Sequence, residues 1–387
     1  HRCWRTVDMP VTKSSRLDGS RPGPSQPAAA SAATDPLDDG SLNLAPIGAV
    51  TALLVVGRGE TIQLLSTQRN FSLGSSPSGV VDVSVSSRRG THDPSREKVS
   101  KLHVVMQRRG RGLWVVDQTS TNGTFVNDCR ATEFQVEAGQ AFRVANVTLF
   151  ALDDHVTALR EPLARGVGLH AHDLIDAAMI AATEPAPLLL LGARGCEQRA
   201  IAEAIHRASP RRRHAFVAVQ PPLATLAEQA AVLRHASHGT AFLDLATIEA
   251  PSAPFVTELF GRTYSVRPVV ASPDVTTAAR RLGEGRLPTM RVIQLRPLGD
   301  RPADVPLLFD AHFRRAQSGR SITELGPANV AALAAQDWPG NLDDLKRAAP
   351  RLLALLDHHS DVTAAAVSLG ITRQALAKWL GRLGLSL

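Results

Sequence analysis

A chain of 387 residues is longer than one hydrophobic core usually supports, so we expect two or three domains. Its composition is typical of globular protein, and no run of 18 apolar residues predicts a membrane span. The three scattered cysteines argue against a disulfide scaffold and a zinc site and favour a cytoplasmic protein. The net charge of +7 permits nucleic acid as a partner without requiring it.

Residues 1–46 are rich in Pro, Ala, Ser and Asp and hold few large apolar side chains. Such a segment buries too little surface to offset the entropy of ordering it, so we interpret it as a disordered tail. No apolar signal core follows His1, which argues against secretion. The position of the true N-terminus stays open, and Met9 is one candidate.

Residues 47–155 predict an all-β domain. Short alternating apolar runs are separated by Gly, Asn, Ser and Asp, which is the pattern of an antiparallel sandwich. The runs read AVTALLVV, TIQLLS, LHVVMQ, LWVVD, TFVN and FRVANVTLFAL.

Two motifs in this region, VSKLH at 99–103 and DQTSTNGTFVN at 117–127, strongly resemble the forkhead-associated (FHA) domain, a phosphothreonine-reading sandwich. The resemblance covers about residues 48–152. It implies that the phosphopeptide is bound by Ser100, Thr121 and Asn122. It implies that the loops are supported by Gly74, His103 and Gly123. The alternative is that STNG is only a hairpin turn, because Asn-Gly favours a type I′ turn by itself.

One position departs from the FHA pattern. Where the family usually has Gly-Arg before the phosphate site, this chain has Gly74-Ser75, so the main phosphate-binding cation is missing. The basic loop that follows suggests replacements at Arg88, Arg89 or Lys101. Alternatively, these cations form a solvated face.

From residue 165 onward, Ala- and Leu-rich helical patterns alternate with buried runs, which predicts a parallel α/β domain over 165–296. The runs read PLLLLG, AFVAVQ, TAFLDL, RPVVAS and RVIQL. After Pro306 the strand pattern ends, which predicts a helical lid over 297–355.

The stretch GARGCEQRAIAEAIH at 192–206 resembles the first nucleotide motif of the AAA+ domain of bacterial enhancer-binding proteins, the activators of sigma-54 RNA polymerase. Further landmarks follow in the family's order: HGTAFLDL, RPLGDRPADVPLL and WPGN. The resemblance implies a nucleotide site at Gly192, Gly195, Gln198 and Asp244. The alternative for Asp244 is that it merely ends a strand.

The chemical positions of this motif have changed. Gln198 replaces the phosphate-binding lysine, and Glu197 places a carboxylate where an anion would approach. The water-orienting glutamate and two sensor residues are replaced by Leu245, Pro273 and Asp343. A GAFTGA-like sigma-contact loop is absent, and only Arg281 lies near an arginine-finger position. We therefore expect no ATP hydrolysis, doubtful binding of ATP and Mg²⁺, and no other cofactor or metal.

Residues 356–387 resemble the Fis-type helix-turn-helix that ends the same activators. A short Ala-rich helix, a turn at Leu369-Gly370-Ile371 and a second helix capped by Thr372 carry the resemblance. It implies that Arg373, Gln374 and Lys378 face DNA bases and phosphates. The alternative is an ordinary α-hairpin packed on the lid.

Three functions fit these features. The first is a DNA-binding transcriptional regulator with an FHA input domain and an inactive ATPase core. The others are an ATP-dependent sigma-54 activator and a phosphopeptide-binding scaffold with a vestigial helix-turn-helix. The expected partners are DNA, a phosphothreonine protein such as a Ser/Thr kinase or its substrate, and a second copy of the chain. The operator, the direction of regulation and the size of the oligomer stay open.

Overall fold

The structure is a computed structural model that describes residues 48–77, 79–85, 98–220, 225–248 and 251–386. The tail at 1–46 and both Arg88 and Arg89 lie outside these described residues. Within them, every helix is too short or too polar to cross a membrane.

The predicted β-sandwich is present and consists of two sheets. Its strands are β1 (Ala52–Val55), β2 (Glu60–Gln63), β3 (Asn70–Gly74), β4 (Val83–Ser84), β5 (Val104–Arg109), β6 (Gly112–Asp117), β7 (Thr124–Val126), β8 (Cys129–Arg130), β9 (Glu133–Val136), β10 (Ala141–Val144) and β11 (Val147–Leu152). One sheet has the order β2-β1-β11-β10-β7-β8 and the other β4-β3-β5-β6-β9. Their inner faces enclose an apolar core that includes Phe71, Met106 and Phe142.

Two details correct the sequence-based prediction. The run at 142–152 is not one strand but the hairpin β10–β11, because Ala145 adopts a left-handed conformation at the turn. The short strand β4 pairs with β3 in parallel, whereas the other strand pairs of the sandwich are antiparallel.

Three helices connect the sandwich to the α/β domain: α1 (Asp154–Ala158), α2 (Arg160–Val167) and α3 (His172–Thr183). One continuous apolar cluster contains Leu54 and Phe150 of the sandwich, Met179 of α3 and Ile205 of the α/β domain. The buried carboxylate of Asp176 on α3 accepts hydrogen bonds from Gly57 N at 2.9 Å and from Arg160 Nη1 at 2.8 Å. The two domains therefore pack directly against each other.

The α/β domain is built on a parallel sheet of the order β13-β14-β15-β12-β16. All five strands coincide with predicted runs: β12 (Leu188–Leu191), β13 (Phe216–Ala218), β14 (Thr240–Asp244), β15 (Arg267–Ser272) and β16 (Arg291–Gln294). Its helices are α4 (Gln198–Ala208), α5 (Leu226–His235), α6 (Ala253–Leu259) and α7 (Val275–Leu282), with 3₁₀ turns at Pro210–Arg213 and Glu284–Thr289. All four residues of β12 are buried, as expected for the interior of a parallel sheet.

The remaining described chain is helical, as predicted. It comprises α8 (Asp304–Arg315), α9 (Pro327–Ala334), α10 (Asn341–Asp357), α11 (Val362–Ser368) and α12 (Arg373–Arg382), with 3₁₀ turns at Leu298–Asp300 and Ile322–Leu325. The lid and the C-terminal hairpin share one core, in which Phe309 and Leu345 of the lid belong to the same apolar cluster as Leu376 and Leu380 of α12. The predicted boundary at 355/356 thus lies inside α10.

Candidate peptide-reading and nucleotide sites

The loops named by the FHA resemblance meet at one end of the sandwich. Ser75 N donates to Ser100 O at 2.9 Å, and Ser76 N donates to Lys101 O at 3.2 Å. A Cβ at Gly74 would lie only 1.9 Å from Lys101 O, so this close approach requires glycine. Ser75, which stands in the arginine position, is therefore held beside the predicted phosphate-binding residue Ser100.

His103 is buried beneath these loops and connects two of them. Its Nδ1 accepts a hydrogen bond from Ser100 N at 3.1 Å, so Nε2 carries the proton and donates it to Gly123 O at 3.1 Å. Burial lowers the pKa of His103 below its ordinary value, although Gly123 O and the Asp117 carboxylate, 3.9 Å away, favour the charged form. The neutral ring supports both loops, which is the structural role predicted for His103 and Gly123.

Asp117 and Ser120 fix the second loop, and sequence reasoning assigned neither a role. The Asp117 carboxylate accepts from Ser120 Oγ at 2.6 Å and from Thr124 Oγ1 at 2.6 Å. Burial raises the pKa of Asp117, but these hydroxyl donors lower it further, so the net pKa lies below the ordinary value. Ser120 Oγ in turn accepts from Gly123 N at 3.1 Å. The only signal in the sequence was the acidic residue five positions before the Asn-Gly-Thr run at 122–124.

The predicted ligand-binding groups lie together above this framework. Thr121 N donates to Ser100 Oγ at 3.3 Å, and Asn122 Nδ2 donates to Lys98 O at 2.8 Å. Lys98 and Lys101 are exposed on either side of Ser100. Exposed Arg130 also reaches this end of the domain, where its Nη2 donates to Ser120 O at 3.4 Å. Lys98 and Arg130 are cations that the sequence prediction did not name.

The nucleotide loop at 192–198 presents a different arrangement, in which Gln198 is bonded to its own loop. Its Nε2 donates to Gly192 O at 3.1 Å and to Ala193 O at 2.7 Å. Gln198, which occupies the position of the phosphate-binding lysine in the family motif, therefore donates its hydrogen bonds to carbonyl oxygens of its own loop.

Glu197 adopts a left-handed backbone conformation at the start of α4, and its side chain is only 7% exposed. Its carboxylate forms ion pairs with Arg165 of α2 at 2.9 Å and with Lys346 of α10 at 2.9 Å. Lys346 also contacts Asp343 at 3.4 Å. Burial raises the pKa of Glu197, but the two cations lower it further, so the carboxyl stays ionised at neutral pH. These ion pairs connect the loop to a helix on each side.

The lid is hydrogen-bonded to the same loop through the WPGN turn at 338–341. The Asn341 side chain, on a residue that is 2% exposed, donates to Arg194 O at 2.8 Å and accepts from Leu298 N at 2.9 Å. Leu342 N donates to Gly195 O at 3.0 Å. A Cβ at Gly195 would lie 2.1 Å from Gly340 O, so the lid rests directly on the loop.

A cavity of about 700 Å³ adjoins the nucleotide loop, and two of the other altered positions, Pro273 and Asp343, line it. Asp244 lines it at the end of β14, where its Oδ1 accepts from Ala246 N at 2.9 Å. Leu245 is buried. Arg281 donates to the backbone oxygens of Leu245 and Ile248, so it is bound within its own domain rather than directed toward a neighbouring chain.

The C-terminal hairpin has the predicted geometry. Thr372 Oγ1 accepts from Ala375 N at 3.1 Å and caps α12, while Gly370 has a positive φ of 65° in the turn. The side chains predicted to face DNA are all exposed: Arg373, Gln374 and Lys378.

Comparisons with known families agree with this architecture. A family model for the FHA domain matches residues 71–145, and one for the sigma-54 interaction domain matches residues 167–231. The chain carries an FHA domain followed by a sigma-54 interaction domain. Both resemblances inferred from the motifs are thus confirmed.

Among curated proteins, the chain is similar to the C4-dicarboxylate transport transcriptional regulatory protein DctD of Rhizobium meliloti strain 1021, with 30% identity over 219 residues, 46% of this chain and 47% of that protein. Pseudomonas aeruginosa DctD is 30% identical over 208 residues, 43% of this chain and 44% of that protein. The chain thus spans less than half the length of these relatives.

Two solved structures are also similar. NtrX from Brucella abortus in complex with ATP is 19% identical and has a TM-score of 0.36, covering 60% of this chain and 68% of NtrX. Mycobacterium tuberculosis EmbR in complex with a low affinity phosphopeptide is 19% identical and has a TM-score of 0.22, covering 27% of this chain and 24% of EmbR.

Proposed function

We propose that this protein is a DNA-binding transcriptional regulator of the sigma-54 activator type, in which the FHA domain reads phosphothreonine and the sigma-54 interaction domain does not hydrolyse ATP. One observation carries the proposal. The loop end of the FHA domain that holds Ser100, Thr121 and Asn122 presents half-buried and exposed polar groups and exposed cations on a buried framework, whereas Gln198 and Glu197 of the nucleotide loop are bonded to carbonyls and cations of the chain.

Phosphothreonine is the ligand that suits the reading end. The Ser100 hydroxyl, whose Oγ accepts from Thr121 N, supplies a donor, and the exposed Lys98, Lys101 and Arg130 add positive charge. A phosphate gains most from charge-assisted donors of this kind. The partner would be a phosphothreonine protein, such as a Ser/Thr kinase or its substrate, and binding would recruit the regulator or bring two copies together.

The nucleotide loop supports binding-based rather than ATP-driven regulation. The side chain that replaces the phosphate-binding lysine donates to loop carbonyls, and a carboxylate occupies the adjacent position. Phosphoryl transfer needs cations placed against the phosphates, and both of these features oppose that arrangement.

DNA binding is the property that tests the proposal. The purified full chain would be titrated with labelled promoter fragments at two salt concentrations. We expect affinity to fall steeply with salt, because phosphate contacts release counterions, and to require a dimer, because each hairpin carries few cations.

Arg373→Ala should reduce the free energy of DNA binding by about 1–3 kcal/mol and relax base preference, whereas Lys378→Ala should weaken binding to all sequences alike. Salt-independent binding, or an Arg373→Ala variant indistinguishable from the parent, contradicts the proposal.

A phosphopeptide-binding scaffold is the second candidate, and the shared core of lid and hairpin favours it. Ser386 exchanges two backbone hydrogen bonds with the Asn329 side chain of α9, both at 2.9 Å, so the C-terminus is fastened to the lid. A hairpin with that purely structural role would bind no DNA in the same titration.

A further inference from the structure

A cavity of about 1000 Å³ lies between the FHA domain and the α/β domain, and the function proposed above gives it no role. One wall is the FHA strand β9 with the turn that follows it, and the other contains the end of α3 and the starts of β15 and β16. The walls touch at Gly139, where an added Cβ would lie 3.1 Å from Thr183 Cβ of α3. A space of this size at a domain boundary is typical of small-molecule sites.

This cavity is separate from the nucleotide loop at 192–198. It lies at the amino ends of the parallel strands, where Arg267 begins β15 and Arg291 begins β16, whereas the nucleotide loop follows the carboxyl end of β12. The cavity beside the nucleotide loop shares no lining residue with it. A ligand here would therefore not occupy the nucleotide site.

Two arginines on the α/β wall are bonded to backbone oxygens and to no carboxylate of the described residues. Arg267 is 3% exposed, and its Nε and Nη2 donate to carbonyl oxygens at the end of α3 and just beyond it. Arg211 donates through Nη1 alone, to backbone oxygens of the α/β domain. The neighbouring Glu184 carboxylate is ion-paired with Arg291 instead. The charge of both arginines thus lacks a direct counter-ion in this part of the structure.

Both arginines keep donors for a ligand. Nη1 of Arg267, and Nε and Nη2 of Arg211, have no hydrogen-bond partner among the described residues. Burial and the neighbouring Arg211 lower the pKa of Arg267 to about 10, against an opposing effect of Glu184, so Arg267 stays charged at neutral pH and is repelled by Arg211. A phosphate between them would relieve the repulsion and accept charge-assisted hydrogen bonds.

Capping of α3 explains only part of this arrangement. The carbonyl oxygens at a helix C-terminus attract a cation, which accounts for Nε and Nη2 of Arg267. Capping does not account for a second arginine beside a buried one, on the wall of a cavity.

The FHA wall carries groups that suit the rest of a nucleotide. Gln135 and Gln140 are exposed there, and carboxamides offer the paired donor and acceptor that match the edge of a base. The exposed carboxylate of Glu137 lies on the same wall and suits the hydroxyl donors of a sugar. Cations thus line one side of the cavity, and groups for base and sugar line the other.

We propose that this cavity binds a nucleoside phosphate, with the phosphate on Arg211 and Arg267 and the nucleoside on the FHA wall. Because the two walls belong to different domains, the ligand fixes the FHA domain against the sigma-54 interaction domain. The molecule is then an effector of the protein and is not hydrolysed.

Isothermal titration of the full chain with AMP, GMP, CMP, UMP and inorganic pyrophosphate tests this proposal. At least one nucleotide should bind about tenfold more tightly than pyrophosphate, because the FHA wall adds hydrogen bonds. Arg211→Gln should weaken nucleotide binding by about tenfold or more, through the loss of charge-assisted donors.

A second variant does not depend on a residue that the fold uses. Gln135→Glu adds a like charge to the wall that faces the phosphate and should weaken nucleotide binding by about fivefold at low salt and by less at high salt. Gln135 is exposed, so the free energy of unfolding should stay that of the parent. Gln63→Glu makes the same change on the exposed edge strand β2, outside the cavity, and should leave binding unchanged.

Four outcomes overturn the proposal. The first is that no nucleotide binds at millimolar concentration, and the second is that the parent and Gln135→Glu bind equally well. The third is that pyrophosphate binds as tightly as every nucleotide, because the FHA wall would then contribute nothing. The fourth is that binding disappears in Asp244→Ala, because the nucleotide loop would then hold the ligand.

Discussion

The FHA loops at 100–123 and the nucleotide loop at 192–198 both gather amides, hydroxyls or charged groups at a place where the sequence motifs resemble phosphate-binding loops. In the FHA domain His103 and Asp117 form a bonded framework beneath the loops, and the groups above it are half-buried or exposed, with a few bonds among themselves. In the nucleotide loop the outward positions are themselves bonded, at Gln198 and Glu197. The comparison shows that the loop in the FHA domain is supported mainly from beneath, by His103 and Asp117, whereas Gln198 and Glu197 of the nucleotide loop are themselves bonded to other parts of the chain.

The largest effect should come from Asn341→Ala. This change removes the hydrogen-bond partner of Leu298 N, which is buried, and of Arg194 O, which is partly buried. A buried loss costs about 1–3 kcal/mol and the second loss costs less, so we expect the free energy of unfolding to fall by about 2–4 kcal/mol. Denaturant titration measures this loss. Asn127→Ala is the matched control, because Asn127 shares the positive φ but is exposed. An equal loss in both variants would mean that backbone strain, rather than the lid contact, causes it.

At the FHA end the effect should appear in binding instead of stability. Ser100→Ala and Asn122→Ala should each weaken a phosphothreonine peptide by about 1–3 kcal/mol, the usual effect of losing a charge-assisted hydrogen bond. Ser75→Arg should strengthen binding, because it restores the missing cation beside Ser100. Calorimetry with phosphorylated and unphosphorylated peptides measures both changes. Equal affinity of the parent for the two peptides would refute phosphothreonine reading.

Glu197→Gln should reduce the free energy of unfolding by about 1–2 kcal/mol, because it leaves Arg165 and Lys346 without their shared anion. The loss is moderated by solvent, since the Lys346 side chain is 45% exposed. Glu203→Gln, which breaks only exposed pairs on α4, should cost less. A double-mutant cycle with Lys346→Met would isolate the pair, and a coupling energy near zero would contradict the ion-pair assignment.

Lowering the pH should reduce the free energy of unfolding by a smaller amount, through His103 of the FHA framework. Burial holds the pKa of His103 below 6.5, so the folded chain resists a proton that the unfolded chain accepts. Its contribution to the free energy of unfolding is therefore complete above about pH 6.5 and is lost as the pH falls below it, by at most about 1.4 kcal/mol per pH unit. Unfolding curves at pH 7.5 and 5.5 measure the slope. A His103→Gln variant with an unchanged slope would assign the effect to other groups.

For ATP hydrolysis we expect no effect. ATP with Mg²⁺ should not be hydrolysed above background, and Asp244→Ala should change nothing, because cation, water-orienting residue and sensors are all replaced. A phosphate-release assay on the full chain measures this. ATP hydrolysis in the parent that disappears in Asp244→Ala would contradict this prediction and would mean that the nucleotide loop at 192–198 is active.

Much of the fold could be predicted because buried strands and short family motifs are local patterns in the sequence. All five strands of the parallel sheet matched their apolar runs, and the structure brings Ser100 and Thr121, which the FHA motifs predicted as ligand-binding residues, into hydrogen-bond contact. The strands missed are β3, β4, β8 and β9. Of these, β4, β8 and β9 are short or partly exposed strands at sheet edges, whereas β3 lies between β4 and β5.

The remaining features depend on contacts between distant parts of the chain. Glu197 could be recognised as foreign to a phosphate site, but its partners lie 32 residues before it, at Arg165, and far beyond it, at Lys346. Likewise, Asn341 bonds Arg194 O across 147 residues. Helix α3 packs against both the sandwich and the α/β domain. The periodicity of its apolar residues predicts a helix but does not show which domains it contacts.

The core shared by lid and C-terminal hairpin has a consequence for operator architecture. Because α12 is not tethered by a linker, two reading helices in a dimer could not adjust their separation independently of the chains that carry them. In a dimer that binds DNA as proposed, the fixed position of α12 in each chain would set the distance between the two half-sites. Insertions of whole helical turns of about 10 base pairs between the half-sites would then be tolerated only where the dimer can span the longer distance. Inserting half a turn would place the second half-site on the opposite side of the duplex, beyond the reach of α12.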